Sequence, residues 1–598
     1  MVLRRERLAL VAFLAATPAL SILSQQAPPR DVPAPPPNGT AVVAGVVLAD
    51  EPQPSPVRRA RVTLRPDGWV NGWSVTTGDD GRFAIVNVPA GRYTLSASKT
   101  AWITANYGAA RPGRPGTPFA VAEGERIPSL AIRMSRGAVI TGTVIDRMGA
   151  PVPGASVSAM RYSPSELTGQ RVLRRPEGGV DSVTDDVGGF RSYGLPPGEY
   201  VVVATLRIGP PTGLMDLRPL TEADVQRALA GGAAPAVQPP LVGYAPVYFP
   251  GTVDPSQAVT VRVGSGQERA GVTIRLEPTP TARIDAVPTL PDSASPASLQ
   301  VFLVPAQESP LSAMGTGRRE ADGRFVFSGV TPGSYTLLAR AAAAGAAPPA
   351  AVMPPGRGRG AAAPMTHYAS VDLMVDGRDL TVPLDIQPGM TVSGSVRYVG
   401  DQTRVPQERP LSFALLPTRD SGTLGVGAAQ VDASGAFRFV GVPPGKYRFA
   451  QATGAIDPWT VASALSRGRD LLDELLEVRA GEDVTDLQVT FSDRSSELGG
   501  RLETAEGRAA LDHYIIAFAA DRAFWTPLSR RVRQTRPGTE GRFTIRGLPA
   551  GDYFIAALTD IEPGEWYDPT FLAALVPAAA KVTIRDGERT AQDLRITK

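Results

Sequence analysis

The chain has 598 residues, too many for one hydrophobic core and enough for four to six domains of about 100–150 residues. A hydrophobic fraction of 43% supports real cores, and the absence of Cys removes thiol catalysis, disulfide staples, thiolate metal sites and a lipoprotein anchor. A formal charge of only +3, from 61 basic and 58 acidic residues, leaves no electrostatic footprint for nucleic acid.

At the N-terminus, Arg4, Arg5 and Arg7 precede an apolar stretch, "LALVAFLAATPAL" at 8–20, with small residues following at Ser21 and Ser24. This reads as a signal peptide over 1–24, and the apolar run is short for a membrane anchor, which needs about 20 residues. An extended Pro-rich linker follows at 25–39. The expectation is an exported protein, whether periplasmic, on the outer surface or secreted, with no transmembrane segment after cleavage.

From residue 40 the chain is rich in turn formers, with 62 Gly and 58 Pro overall, which suits many short strands. "AVVAGVVLAD" (41–50) is an opening strand. In "DGWVNGWSVTTGDDG", Trp69, Asn71 and Trp73 share one face of an extended segment, where aromatic rings beside an amide suit sugar stacking. The competing reading packs both Trp under a neighbouring loop. Asp79-Asp80, and later Asp185-Asp186, invite a calcium site, yet acidic residues in turns are accounted for by turn chemistry and no calcium-loop pattern is present.

"GRFAIVNVPAGRY" (81–93) comes next: Phe83 and Ile85 alternate with Arg82 and Ala84, Pro89-Ala90-Gly91 interrupts, and Tyr93, Leu95 and Ala97 resume the alternation. The pattern predicts a strand, a tight turn and a second strand forming a hairpin, with its aromatic residues in one core. The same phrase returns as "GGFRSYGLPPGEY" (188–200), "GRFVFSGVTPGSY" (323–335), "GAFRFVGVPPGKY" (435–447) and "GRFTIRGLPAGDY" (541–553). Phe83, Phe190, Phe325, Phe437 and Phe543 each precede a Tyr by ten residues, and successive Phe are 107, 135, 112 and 106 residues apart. That period matches a small domain, not a solenoid repeat. A closing strand completes each unit, as in "GERIPSLAIRM" (124–134) and "GEDVTDLQVTF" (481–491).

The second unit carries a predicted short helix, "TEADVQRALAGG" (221–232), and an aromatic loop, "YAPVYFPGTVDP", whose Tyr248 and Phe249 are further ligand-binding candidates. His367 follows a low-complexity stretch and is expected to be exposed, while His513 sits in a strand pattern. "ASALSRGRDLLDELLEV" (462–478) reads as an irregular loop carrying a strand. The expected division is five modules: 40–134, 135–278 with an insertion, a degenerate 279–388, 389–492 and 493–598. The expected fold is all-β, a tandem array of about five antiparallel Greek-key β-sandwiches with few short helices.

"VITGTVIDRMGAPVPGASVSAM" followed by "GGFRSYGLPPGEYVVVA" resembles the carboxypeptidase regulatory-like domain, a transthyretin- or prealbumin-like module. The resemblance extends over the five modules and is weakest in the third, where "TARIDAVPTL" lacks the usual opening Gly. It implies kinship with carbohydrate-binding-like sandwiches, and the carboxypeptidase catalytic domain is not in the chain. Related collagen-adhesin B modules link an opening-strand Lys to a closing-strand Asn, but none of the four Lys (Lys99, Lys446, Lys581, Lys598) lies in an opening strand.

With no Cys and two His in separate modules, no catalytic residue, metal site or cofactor is expected. The expected function is a non-enzymatic exported array that binds carbohydrate or a cell-envelope polymer, or serves as an adhesion or spacer protein, with a glycan, envelope polymer or protein as partner. The alternatives are an accessory protein of a secreted hydrolase or outer-membrane uptake system, and a glycoside hydrolase built on two carboxylates.

Overall fold

In the strand Arg82–Val88 of the computed structural model, Phe83 and Ile85 are buried and Arg82 and Ala84 exposed, as period-2 alternation requires. Residues 39–596 are described, apart from 67–71, 110, 115, 166–168, 207–221, 232–240, 307–314, 346–363, 402–410, 419–425, 454–458, 512, 539, 560 and 563. The predicted signal peptide therefore lies outside the described residues. The sheets succeed one another in pairs along the chain, each pair enclosing a core, so the protein is an all-β tandem array of sandwich units. All five repeated Phe are at most 6% exposed.

Each opening strand lies inside its sheet, paired on both sides. In the first unit Ala41–Ala49 pairs antiparallel with Arg82–Val88 and parallel with the closing strand Arg126–Met134. The parallel pairing recurs in the other four units and is the exception to otherwise antiparallel sheets.

The repeated phrase does not form the expected hairpin. Its first strand belongs to the opening-strand sheet, while its second, Gly91–Ser98 in the first unit, pairs with Arg61–Pro66 in the facing sheet. The same division holds in every unit. The turn is an arch over the edge of the core. Two features bend the chain out of its sheet. The residue four after the Phe has a positive φ throughout, as Asn87 (58°), Gly194 (76°), Gly329 (68°), Gly441 (68°) and Gly547 (71°). Gly and Asn are the residues that accept this conformation most readily. The Tyr hydroxyl then donates to the carbonyl four residues earlier, at 2.6–3.0 Å: Tyr93 to Pro89, Tyr200 to Pro196, Tyr335 to Thr331, Tyr447 to Pro443 and Tyr553 to Pro549.

Opposite each buried Phe, four opening strands place a Gly: Gly45, Gly142, Gly394 and Gly500. A Cβ at any of them would lie 1.7–2.0 Å from a carbonyl oxygen of the closing segment and 2.8–3.0 Å from the Phe ring. In the third unit Ala286 faces Phe325, and there the parallel register runs without the slip seen beside Gly45, Gly142 and Gly394. The missing Gly of the third unit thus corresponds to a regular ladder.

A helix occupies Glu222–Leu229, within the predicted segment. Another, Pro569–Leu575, was not anticipated; the Asp568 carboxylate caps it by accepting from the Thr570 N–H. Over 462–478 the chain makes a hairpin between Thr460–Ser466 and Arg469–Asp470, turning at Arg467 and Gly468, both with positive φ.

Neighbouring units are joined closely. Only residues 135–137 separate Met134 from the strand Ala138–Ile145, and there Gly137 N–H donates to the Ala101 carbonyl while the Arg136 guanidinium covers the Trp102 ring at 4.7 Å. Between the third and fourth units Gly389 N–H donates to Thr366, and Arg340, 7% exposed, reaches the Gly441 carbonyl at 3.5 Å.

Candidate functional site

Trp69 and Asn71 lie outside the described residues. Trp73 opens the strand Trp73–Thr76, half-buried, with its ring edge-on to Tyr93 at 5.9 Å. Part of its surface is therefore committed to the first core. In the second unit Tyr248 is 6% exposed and packs with Met160, Leu173, Val201 and Val203, while half-buried Phe249 packs on the main core. The Tyr248 ring, a ligand-binding candidate from the sequence, is thus taken up largely by packing. The aromatic loop fills a second, smaller core that the alternation could not reveal.

The acidic turn residues behave as turn chemistry predicts. Asp80 accepts from the Arg82 N–H, and Asp185 from the N–H groups of Val187 and Gly189. No group of three potential metal ligands occurs among the described residues.

His367 is buried at 4% exposure, contrary to the sequence expectation. It lies in the long strand Met365–Val375, paired with Ala341 on one side and Pro388 on the other, so both flanks are covered. Its Nε2 is 2.9 Å from the Ser293 hydroxyl and its Nδ1 2.9 Å from that of Thr366. A nucleophile and a base thus meet at catalytic distance. Hydrolytic triads, however, place a carboxylate where Thr366 stands, to stabilise the imidazolium formed when the base takes a proton. Here a neutral hydroxyl occupies that place, and desolvation pushes the His367 pKa down, disfavouring the imidazolium further. The pair is suited to fixing the strand, not to turnover.

A shallow polar groove of about 770 Å³ lies on the fourth unit, lined in part by Ser393, Ser395, Gln430, Asp432, Arg438 and Asp486. It brings two carboxylates to one depression, as glycoside hydrolysis would need. Asp432 is held below the usual carboxylate range by the Ser434 hydroxyl and the N–H groups of Ala436 and Ser434. Burial pushes Asp486 upward, but hydrogen bonds from the Ser466 hydroxyl and the Arg467 N–H outweigh it, and its pKa also lies low. A glycosidase acid must hold its proton near neutral pH, so two lowered carboxylates supply no acid.

A buried cluster of charges sits at the joint of the fourth and fifth units. Asp473, with a 5% exposed side chain, accepts from Arg530 and Arg531 at 2.8–3.1 Å, and Arg530 also reaches Asp470 at 2.8 Å. Burial raises the Asp473 pKa, but the hydrogen bonds and charges of both Arg more than reverse it. Sequence reading missed this cluster, whose members are nearly 60 residues apart and carry no local signal.

These features define the class: a tandem array of β-sandwich units whose conspicuous polar chemistry lies in turns and joints. No family model matches the chain, and neither does any curated protein. Among solved structures it is similar to the Bacillus anthracis TIE protein, at 11% identity and a TM-score of 0.14, covering 76% of this chain and 72% of that one. It is also similar to a streptococcal ancillary pilin, at 15% identity, 58% and 99% coverage and a TM-score of 0.18. Two B repeat units of the collagen-binding protein of Staphylococcus aureus give 11% identity, 72% and 94% coverage and a TM-score of 0.14. Superpositions this poor say nothing about function.

Proposed function

We propose that this chain is an exported, non-enzymatic array of carboxypeptidase regulatory-like sandwiches, with modules at 40–134, 135–278, 279–388, 389–492 and 493–598. It binds carbohydrate or another cell-envelope polymer weakly at several modules and acts as an adhesion or spacer protein. The observation that carries this reading is the use of the repeated phrase. In all five units the Phe is in the core and the Tyr hydroxyl closes the arch, so the element written five times builds a scaffold. The short, hydrogen-bonded connections suit a load-bearing or spacing part. The lowered carboxylates of the groove and the carboxylate-free histidine pair favour binding over hydrolysis.

The test is a glycan array and a cell-envelope pulldown with the mature chain, followed by stepwise removal of modules. Polymer binding should weaken at each step, because linked weak sites gain avidity. Joint replacement Trp69→Ala and Trp73→Ala should reduce binding where the first module contributes. Turnover of a glycan or peptide that a single Asp or Glu substitution abolishes would overturn the proposal.

A further inference from the structure

The Glu562 carboxylate of the fifth unit lies between guanidinium groups of the first and second. Its Oε1 is 3.5 Å from Nη2 of Arg114 and 3.9 Å from Nη1 of Arg161. The Glu562 N–H donates to the Glu565 carboxylate at 2.9 Å, and Asn106 donates to the Arg114 carbonyl at 2.8 Å, so both backbones are fixed locally. Two Gly–Pro contacts flank the charges, one in each direction. A Cβ on Gly564 of the fifth unit would lie 3.2 Å from Cβ of Pro164 in the second; one on Gly169 of the second would lie 2.8 Å from Cγ of Pro527 in the fifth. At Gly538, the fifth unit also meets the Arg92 guanidinium of the first. The residues span most of the chain, and glycines stand where a side chain would hold the surfaces apart.

We propose that the array closes on itself, the fifth unit docking in cis onto the first and second, so that the mature protein is a closed assembly of five units and not an extended rod. Exposed ion pairs are individually weak. Closure is favoured because the joints along the chain are short and hydrogen-bonded, which presents the two ends to each other at high effective concentration. This goes beyond the binding function and does not depend on it: closure fixes how the units are arranged, whatever the modules bind.

Small-angle X-ray scattering of the mature chain requires no variant. Five units of about 13 Å radius of gyration each give about 30 Å for a closed ring and about 48 Å for a rod. Because the chain has no Cys, the pair Arg114→Cys with Glu562→Cys can be bridged by a short bismaleimide without background. Met374→Cys, at a 70% exposed position of the third unit, with Glu562→Cys is the control pair. Closure predicts the smaller radius and intramolecular bridging of the first pair at least ten-fold faster than of the control. A radius near the rod value, equal bridging rates, or covalent dimers showing that the fifth unit docks in trans would each overturn it.

Discussion

Replacing Gly394 by Ala should open the fourth unit. The new Cβ would sit 2.0 Å from the Leu487 carbonyl oxygen and 2.8 Å from Cζ of Phe437. A relaxed C···O contact between strands is about 3.3 Å, so the closing strand would have to retreat by about 1.3 Å. That retreat strains the parallel ladder at its register slip and displaces Phe437 from Phe413, whose ring centroid is 4.8 Å away. Overpacking costs about 1–3 kcal/mol and a weakened ladder hydrogen bond about 1 more, giving about 3 kcal/mol. Gly394 is outside the left-handed region, so backbone strain adds nothing. The third unit supplies the control: Ala286 already faces its Phe, and Ala286→Gly should cost only about 1 kcal/mol through chain entropy. In a multi-unit chain a single melting curve cannot assign such losses, so the assay is hydrogen exchange resolved to the strands 436–442 and 484–492 against their third-unit counterparts. A loss below about 0.5 kcal/mol for Gly394→Ala, or a larger one for Ala286→Gly, would refute the reasoning.

Phe543→Ala should cost about 3–5 kcal/mol in the fifth unit, with hydrogen exchange in the core of the third unchanged. Asp473 has a folded pKa below its unfolded value, so its contribution is present above the unfolded pKa and is lost as pH falls from there through the folded value. Limited proteolysis at residues 493–496 should therefore accelerate on acidification below about pH 4, and Asp473→Asn should be cleaved faster at neutral pH with a smaller response to acid. Burial pushes the phenols of Tyr200 and Tyr447 up to about 12. Their folded pKa exceeds the unfolded one, so stability is retained below about pH 10 and falls as pH rises towards 12. Phenolate absorbance should then appear together with loss of structure, and Tyr447→Phe should lose about 1 kcal/mol at neutral pH while weakening that alkaline transition.

The units, their cores and the turn chemistry were legible because burial imposes a period of two that short-range pattern can carry. Sheet membership was not. Phe83 and Tyr93 point into one core whether the chain between them makes a hairpin within one sheet or an arch between two. The distinguishing signals were a Gly or Asn four residues after the Phe and a Tyr four residues after the carbonyl it binds, visible once their roles are known. Strand direction left no trace either, since side-chain alternation is the same for parallel and antiparallel partners. The buried His367 was misread from its low-complexity neighbour, although its flanks are covered by strands distant in sequence. Of the binding candidates, Tyr248 was read from an aromatic loop, and the residues of a loop do not say on which side of a sheet its rings pack. Asp568-Pro569 did carry a readable helix start, a capping acid followed by Pro at the first position.

The arch also explains why the Phe–Tyr spacing is invariant while unit lengths vary. Between Phe and Tyr the chain must run out of one sheet, reverse over the core edge and enter the other, with the Tyr hydroxyl reaching a fixed carbonyl. An added residue would turn every later side chain of the second strand to the opposite face. Beyond the Tyr strand no such register binds the two sheets together, and connections there can lengthen at an entropic cost that grows only slowly. The second unit places its helix Glu222–Leu229 in that interval, and the fifth its helix Pro569–Leu575. The larger share of the length variation thus falls after the arch and before the closing strand: Tyr200 precedes Val272 by 72 residues and Tyr93 precedes Leu130 by 37, whereas Gly142 precedes Phe190 by 48 and Gly45 precedes Phe83 by 38.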